Sequence, residues 1–377
     1  MEIGVYIHIP FCRARCAYCD FNTYAGLERL MPSYVAAVRQ EIEAASERWG
    51  RLFVPTIYFG GGTPSLLSPN LVGELVRALR STFRVSRDAE ITIEANPGTV
   101  DVDGLSQLRA MGVNRLSLGI QSAHDDELRL LGRIHTWEKA TETVKAARAA
   151  GFDNFSLDFI YGLPGQTLAR WRETLDAAIT LSPEHLSLYC LTIEENTPLA
   201  KQIAESQIAH PDPDLAADMY EMAESRLVKA GFFHYEISNW ARPNLKVSQH
   251  NLTYWRNETW LGMGAGAHSW MDGHRWANAP RPREYIAALE QGRAPVAETE
   301  AIDRRLEMGE TMMMGLRLAE GVGDARFCAR FGVGLEAAFG TELAQLQNLG
   351  LLAWNGQTAR LTARGRLLGN QVFMRFL

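Results

Sequence analysis

The stretch FCRARCAYCDFN, residues 11–22, carries Cys12, Cys16 and Cys19, three of the five cysteines in the chain. Their spacing, C-x3-C-x2-C, puts three thiols on one short loop. Clustered soft ligands of this kind suit zinc or an iron–sulfur cluster. A structural zinc site closes with four protein ligands. Here the nearby candidate for a fourth is His8, while Cys190 and Cys328 lie far off in sequence. Three thiolates otherwise leave one metal position open to a ligand or substrate. An odd cysteine count with three clustered is a poor basis for a disulfide scaffold. It fits a metal or redox site in a reducing compartment, and the expected location is the cytoplasm.

The cluster directly follows a strand candidate, Gly4–Pro10. Further strand candidates are Thr56–Gly60, Glu90–Asn96, Arg115–Gln121, Asn154–Tyr161 and His185–Thr192, all short, rich in β-branched or aromatic residues and bounded by Gly, Pro or Asn. Amphipathic stretches at Tyr34–Trp49, Leu71–Phe83, Thr136–Ala150 and Leu168–Leu181 alternate with them. Repeated βα units imply a parallel sheet with right-handed crossovers. Six units fall short of the eight of a closed barrel, so the expected fold is α/β, an incomplete (β/α)6 TIM-like barrel.

The pattern changes near residue 240. Residues 240–300 are rich in Gly, Trp, Asn and Pro and read as irregular. From about residue 304 the chain reads as helices, with a hairpin around Asn355–Gly356. The expected division is a barrel over 1–240, an irregular connection over 241–300 and a small, mostly helical winged-helix-like domain over 301–377. Such a domain often binds DNA, but a net charge of −6 and the lack of a basic run favour a structural role and no nucleic-acid partner. No apolar run reaches the length of a membrane span, and the N-terminus lacks the features of a signal peptide.

Six further motifs follow in order: YIHIPFC (Tyr6–Cys12), GGGTPS (Gly60–Ser65), EANPGT (Glu94–Thr99), GIQS (Gly119–Ser122), LGRIH (Leu131–His135) and DFIYGLPGQ (Asp158–Gln166). Most sit at or just after a strand end, where a parallel barrel gathers its active site. With the cysteine spacing, they make the chain resemble the radical S-adenosylmethionine (SAM) superfamily. Within it, the chain is similar to oxygen-independent coproporphyrinogen III oxidase and its relatives over essentially its whole length.

The resemblance implies a 4Fe–4S cluster on Cys12, Cys16 and Cys19, with SAM on the unique iron. It implies SAM contacts from Tyr6, Gly61, Gly62, Thr63, Glu94, Gln121, Arg133 and Asp158. Glu94 would hold the ammonium or a ribose hydroxyl, Gln121 and Asp158 the ribose, Arg133 the carboxylate. Taken one at a time, these residues have bland readings: a GGG is usually a turn, and a lone Glu or Arg a solvated surface group.

Two branches of the family remain, an oxidase acting on a porphyrin and a heme chaperone. The oxidase pattern continues C-x3-C-x2-C-x-C, but here Phe21 stands in the last place. The oxidase also carries dozens of residues before its cysteines, and here Cys12 comes almost at once. HNLTYW (His250–Trp255) matches an HNxxYW motif that the chaperone branch links to heme. Imidazole suits heme iron, and Tyr254 and Trp255 offer flat apolar contact. His250 is the chosen ligand and His268 a second candidate; the bland alternative is a buried aromatic cluster around a satisfied histidine. The chaperone reading implies heme as cofactor and acceptor hemoproteins as partners, membrane-bound respiratory cytochromes among them. It also implies homodimers on SAM binding, a membrane approach through a partner, and no oxidase activity. SAM cleavage stays open.

Overall fold

The computed structural model describes residues 1–243 and 246–377. All six expected strands form: β1 (Glu2–Ile9), β2 (Phe53–Gly61), β3 (Arg84–Ala95), β4 (Arg115–Gln121), β5 (Phe155–Tyr161) and β6 (His185–Cys190). They pair in sequence order, each parallel to the next. Alternation along each strand separates two faces. One face is aliphatic and buried: Ile57 and Phe59, Ile91 and Ile93, Leu116 and Leu118, Leu157 and Phe159, Leu186 and Leu188. The opposite face is polar, with Tyr6, Tyr58, Glu94, Ser117, Asp158 and Tyr189. Aliphatic residues of α1 (Met31–Trp49), α2 (Pro69–Thr82), α3 (Val102–Ala110), α5 (Trp137–Ala149), α6 (Leu168–Thr180) and α8 (Pro213–Lys229) join the aliphatic face in one core. The polar face lines the barrel interior, so the inward residues are free to do chemistry.

The short helices α4 (Asp125–Leu130) and α7 (Pro198–Ala204) complete this half. Several helices start on side-chain caps: Ser68, Asp101, Thr136 and Thr167 each accept a backbone N–H of the first turn. Two antiparallel strands, β7 (Phe233–Glu236) and β8 (Asn239–Ala241), extend the sheet beyond β6.

Most of the described residues of 240–300 form regular structure, contrary to expectation. After helix α9 (Gln249–Trp255), strand β9 (Trp260–Met263) lies parallel to β1 on its other side. Strands β10 (His268–Met271), β11 (His274–Asn278) and β12 (Val296–Ala301) continue the sheet antiparallel, and α10 (Pro282–Glu290) packs on α1. These strands are short and broken by glycine, which hides their period. At Gly262 the glycine is required, because a Cβ there would run into the His268 carbonyl.

The C-terminal part has its own core, built on Met312, Phe327, Leu335, Phe339, Leu343 and Phe373. Helices α11 (Arg304–Gly315), α12 (Asp324–Phe331) and α13 (Leu335–Asn348) surround a three-stranded sheet of β13 (Val322–Gly323), β14 (Leu352–Trp354) and β15 (Thr358–Leu361). The expected hairpin is present. Gly356 takes φ +82°, and the Asn355 side chain accepts the Gln357 and Thr358 N–H groups. Helices plus one wing match the winged-helix-like expectation. No helix among the described residues is long and apolar enough to cross a membrane.

Candidate functional site

The C-terminal ends of the parallel strands open onto a cavity of about 450 Å³. Cys12, Cys16 and Cys19 line it together with Gly61, Gly62, Thr63, Glu94, Gln121, Arg133 and Asp158. Seven of the eight residues expected to touch SAM therefore meet the three thiols in one space. Among the described residues, no three His, Cys, Asp or Glu side chains converge as tightly as a single ion requires. The three thiols instead border a cavity.

Tyr6 is the exception. It does not line this cavity; its hydroxyl is bonded to His8 Nδ1 at 3.0 Å and its ring stacks on Tyr58. His8, the candidate for a fourth metal ligand, is buried, with its other nitrogen 2.9 Å from the Asn22 carbonyl.

The glycine motif has a structural reason beyond ligand access. A Cβ on Gly62 would sit 2.7 Å from the Phe11 carbonyl and 3.0 Å from the Cys12 sulfur. The Gly62 and Thr63 N–H groups bond to the Ile9 and Phe11 carbonyls. The turn is thus laced to the chain that leads into the cysteines.

A polar network joins two of the cysteines. Thr63 Oγ1 donates to the Cys12 sulfur at 3.6 Å and accepts from Asn96 Nδ2 at 2.9 Å. Asn96 Oδ1 accepts in turn from Arg133, whose other nitrogen reaches the Cys16 sulfur at 3.4 Å. Burial pushes the Cys12 and Cys19 thiols up, so a metal that binds them must displace their protons. Asn96 escaped notice in the sequence, although it stands two residues after Glu94 and so on the same face.

Glu94 accepts Tyr58 O–H at 2.9 Å and Gly61 N–H at 3.0 Å. Burial, with a further contribution from the Asp158 carboxylate, pushes it up to about 7. Burial also raises Asp158, against donors from Ser117 and Ser156 at 2.7 Å each. Gln121 is nine-tenths buried and holds φ +73°, a backbone region costly for any residue but glycine. Its amide makes no hydrogen bond among the described residues and borders the cavity, as a side chain waiting for a ligand would. The cavity-facing amide, the bordering thiols and the carboxylates fit a cluster and a bound SAM. Phe21 lies at the same cavity and is 64% exposed, the position where the oxidase pattern has a cysteine.

His250, the expected iron ligand, has both ring nitrogens engaged in this structure. Its ring is buried, with Nδ1 2.9 Å from Thr56 Oγ1 and Nε2 2.9 Å from the Tyr254 hydroxyl. Both nitrogens are engaged, so in this conformation neither can reach an iron. Burial pushes the imidazole down to about 3 and keeps it neutral. The bland alternative, a satisfied core histidine among aromatics, describes it better. His268 is exposed.

The GMGAGAHSW segment has a role that the sequence did not disclose. Its loop braces the cysteine loop: Asn22 Nδ2 donates to the Ala265 carbonyl at 3.0 Å and the Pro280 carbonyl at 2.9 Å. Glu41 of α1 holds this loop from behind. It accepts Gly264 N–H at 2.8 Å, Tyr285 O–H at 2.5 Å and Asn278 Nδ2 at 2.6 Å.

Comparison with known proteins agrees with this geometry. The Radical SAM superfamily profile matches residues 6–178, and that of the HemN C-terminal domain matches residues 302–368. Heme chaperone HemW of Bacillus subtilis is 37% identical over 375 residues, covering 99% of each chain. Heme chaperone HemW of Escherichia coli is 36% identical over 384 residues, covering 100% of this chain and 98% of its own. The structure of coproporphyrinogen III oxidase (HemN) from Escherichia coli, a radical SAM enzyme, superposes with a TM-score of 0.86. It is 26% identical and covers 100% of this chain and 90% of its own. Thiols, motif residues and full-length likeness converge, and the chain belongs to the radical SAM superfamily and, within it, to the HemW family.

Proposed function

We propose that this protein is a heme chaperone that carries a 4Fe–4S cluster, binds SAM and hands heme to acceptor hemoproteins. The observation that carries the cofactor reading is the meeting of Cys12, Cys16 and Cys19 with seven motif residues around one cavity. Cys12, Cys16 and Cys19 would hold the cluster. Gly61, Gly62, Thr63, Glu94, Gln121, Arg133 and Asp158 would hold SAM, with Glu94 accepting from the amino group and Arg133 facing the carboxylate. When bound, the cluster supplies an electron and an open iron for SAM's amino and carboxylate groups.

The heme reading rests on relatives named heme chaperones, 36–38% identical along nearly the whole chain. The oxidase reading has less support: its structural relative is 26% identical, and Phe21 replaces the added cysteine. Membrane-bound respiratory cytochromes are the acceptors we favour, met from the cytoplasmic side, with SAM promoting a homodimer.

One anaerobically reconstituted sample tests the reading. It should bind heme on titration and bind SAM, and should not decarboxylate coproporphyrinogen III. Absence of heme binding by wild-type protein, or appearance of the decarboxylated product, overturns it.

A further inference from the structure

The HNLTYW helix packs on the strands below the cavity, and a chain of contacts leads from it to Glu94, the residue proposed to face SAM's amino group. Helix α9 is anchored by Glu90, whose carboxylate accepts the Gln249 and His250 N–H groups at 3.1 Å each. The anchored His250 points into the barrel. Thr56 on β2 and Tyr254 one turn along α9 fix its two nitrogens, so the ring cannot rotate. Its face packs on the Tyr58 ring, with centroids 5.2 Å apart and planes 21° from parallel. Tyr6 stacks on Tyr58 as well, at 6.2 Å. The Tyr58 ring is thereby held between neighbours, and its hydroxyl donates to Glu94 Oε1 at 2.9 Å. Glu94 Oε2 accepts the Gly61 N–H of the glycine turn.

We propose that His250 is a positioning residue for the SAM site: locked by Thr56 and Tyr254, it sets the plane of Tyr58 and through it the orientation of Glu94. This rests on the reading that the cavity takes SAM. It gives the HNxxYW motif a task other than iron ligation. The spacing of the motif follows from that task, because His250 and Tyr254 are four residues apart and share one helix face. Freed of this constraint, Tyr58 would rotate and leave Glu94 with the Gly61 N–H alone. A buried carboxylate held by one fixed donor is less well oriented to receive an amino N–H than one held by two.

The test uses full-length protein with its reconstituted cluster and titrates SAM by calorimetry. His250→Ala and Tyr58→Phe break the relay at two points, and each should weaken SAM binding by about tenfold with cluster iron unchanged. The double variant should bind no worse than the weaker single variant, because both act through one route. Thr56→Val removes the Nδ1 partner while sparing the ring, and should show a smaller loss in the same direction. Losses that multiply in the double variant overturn the proposal. So does a His250→Ala protein that keeps SAM affinity and loses heme. If the wild-type protein binds no SAM, the cofactor reading has failed first.

Discussion

Arg133 and Cys16 lie 117 residues apart in sequence, yet the guanidinium donates to the thiol at 3.4 Å. The same side chain donates to the Gly119 carbonyl at 2.7 Å and to Asn96. Its fork is therefore set by three acceptors before any ligand arrives. Arg133→Met should weaken SAM binding by at least about tenfold while the cluster still assembles, since charge-assisted bonds are the strong ones. Arg133→Lys should not restore affinity, because one ammonium cannot reproduce the planar fork. Calorimetry with iron and sulfide quantitation separates the two effects.

Glu94 makes SAM binding depend on pH. Burial favours the protonated carboxyl up to about pH 7 in the ligand-free protein, whereas an amino N–H donor favours the carboxylate. Below pH 7, binding must expel that proton. Affinity should therefore rise between pH 6 and pH 8, and binding should release up to one proton as read from buffers of different ionisation heat. Glu94→Gln should bind weakly and lose the slope.

Glu41 should make stability depend on pH in the ligand-free protein. Burial raises it to about 7 from the usual 4.5. The folded state thus holds a proton that the unfolded state gives up. Its stabilising share is fully present below pH 4.5 and is lost as pH rises toward 7. Glu94 and Glu236 are shifted in the same direction. Thermal unfolding should show a decline across that window, and Glu41→Gln should flatten it.

Gly62→Ala tests the lacing of the glycine turn to the cysteine loop. The added Cβ would meet the Phe11 carbonyl and the Cys12 sulfur. Overpacking of this kind costs about 1–3 kcal/mol, and here the strain falls on a cluster ligand. Iron content after reconstitution should drop more than the melting temperature does. Gly323→Ala makes a useful contrast, since that glycine likewise has no left-handed backbone but meets nothing within 4 Å.

The barrel could be read from the sequence because its strands obey two rules at once. Ile91, Ile93, Leu116 and Leu118 face the helices, while Glu94, Ser117 and Asp158 face inward, so period and chemistry coincide. Spacing marked Cys12, Cys16 and Cys19 as a metal or cluster loop, and only the resemblance chose between zinc and iron–sulfur. Residues 260–278 were not, because β9 to β11 are four or five residues long and depend on Gly262, whose purpose lies across the turn at His268. His250 misled for a related reason. A sequence shows that an imidazole stands near aromatics, but not that Thr56, almost 200 residues earlier, has already occupied it. Tyr6 was expected at SAM from the resemblance, but its ring stacks on Tyr58 and its hydroxyl bonds His8.

Asn22 has a further consequence. The loop carrying the three thiols is made well before the carbonyls that hold its end, which belong to Ala265 and Pro280, 243 and 258 residues later. A nascent chain thus exposes its thiols long before their brace exists. Stable loading of iron and sulfide should then wait until the chain has been made through Pro280. Shortened chains ending before residue 264 should leave their thiols open to oxidation, even with most of the parallel strands already made.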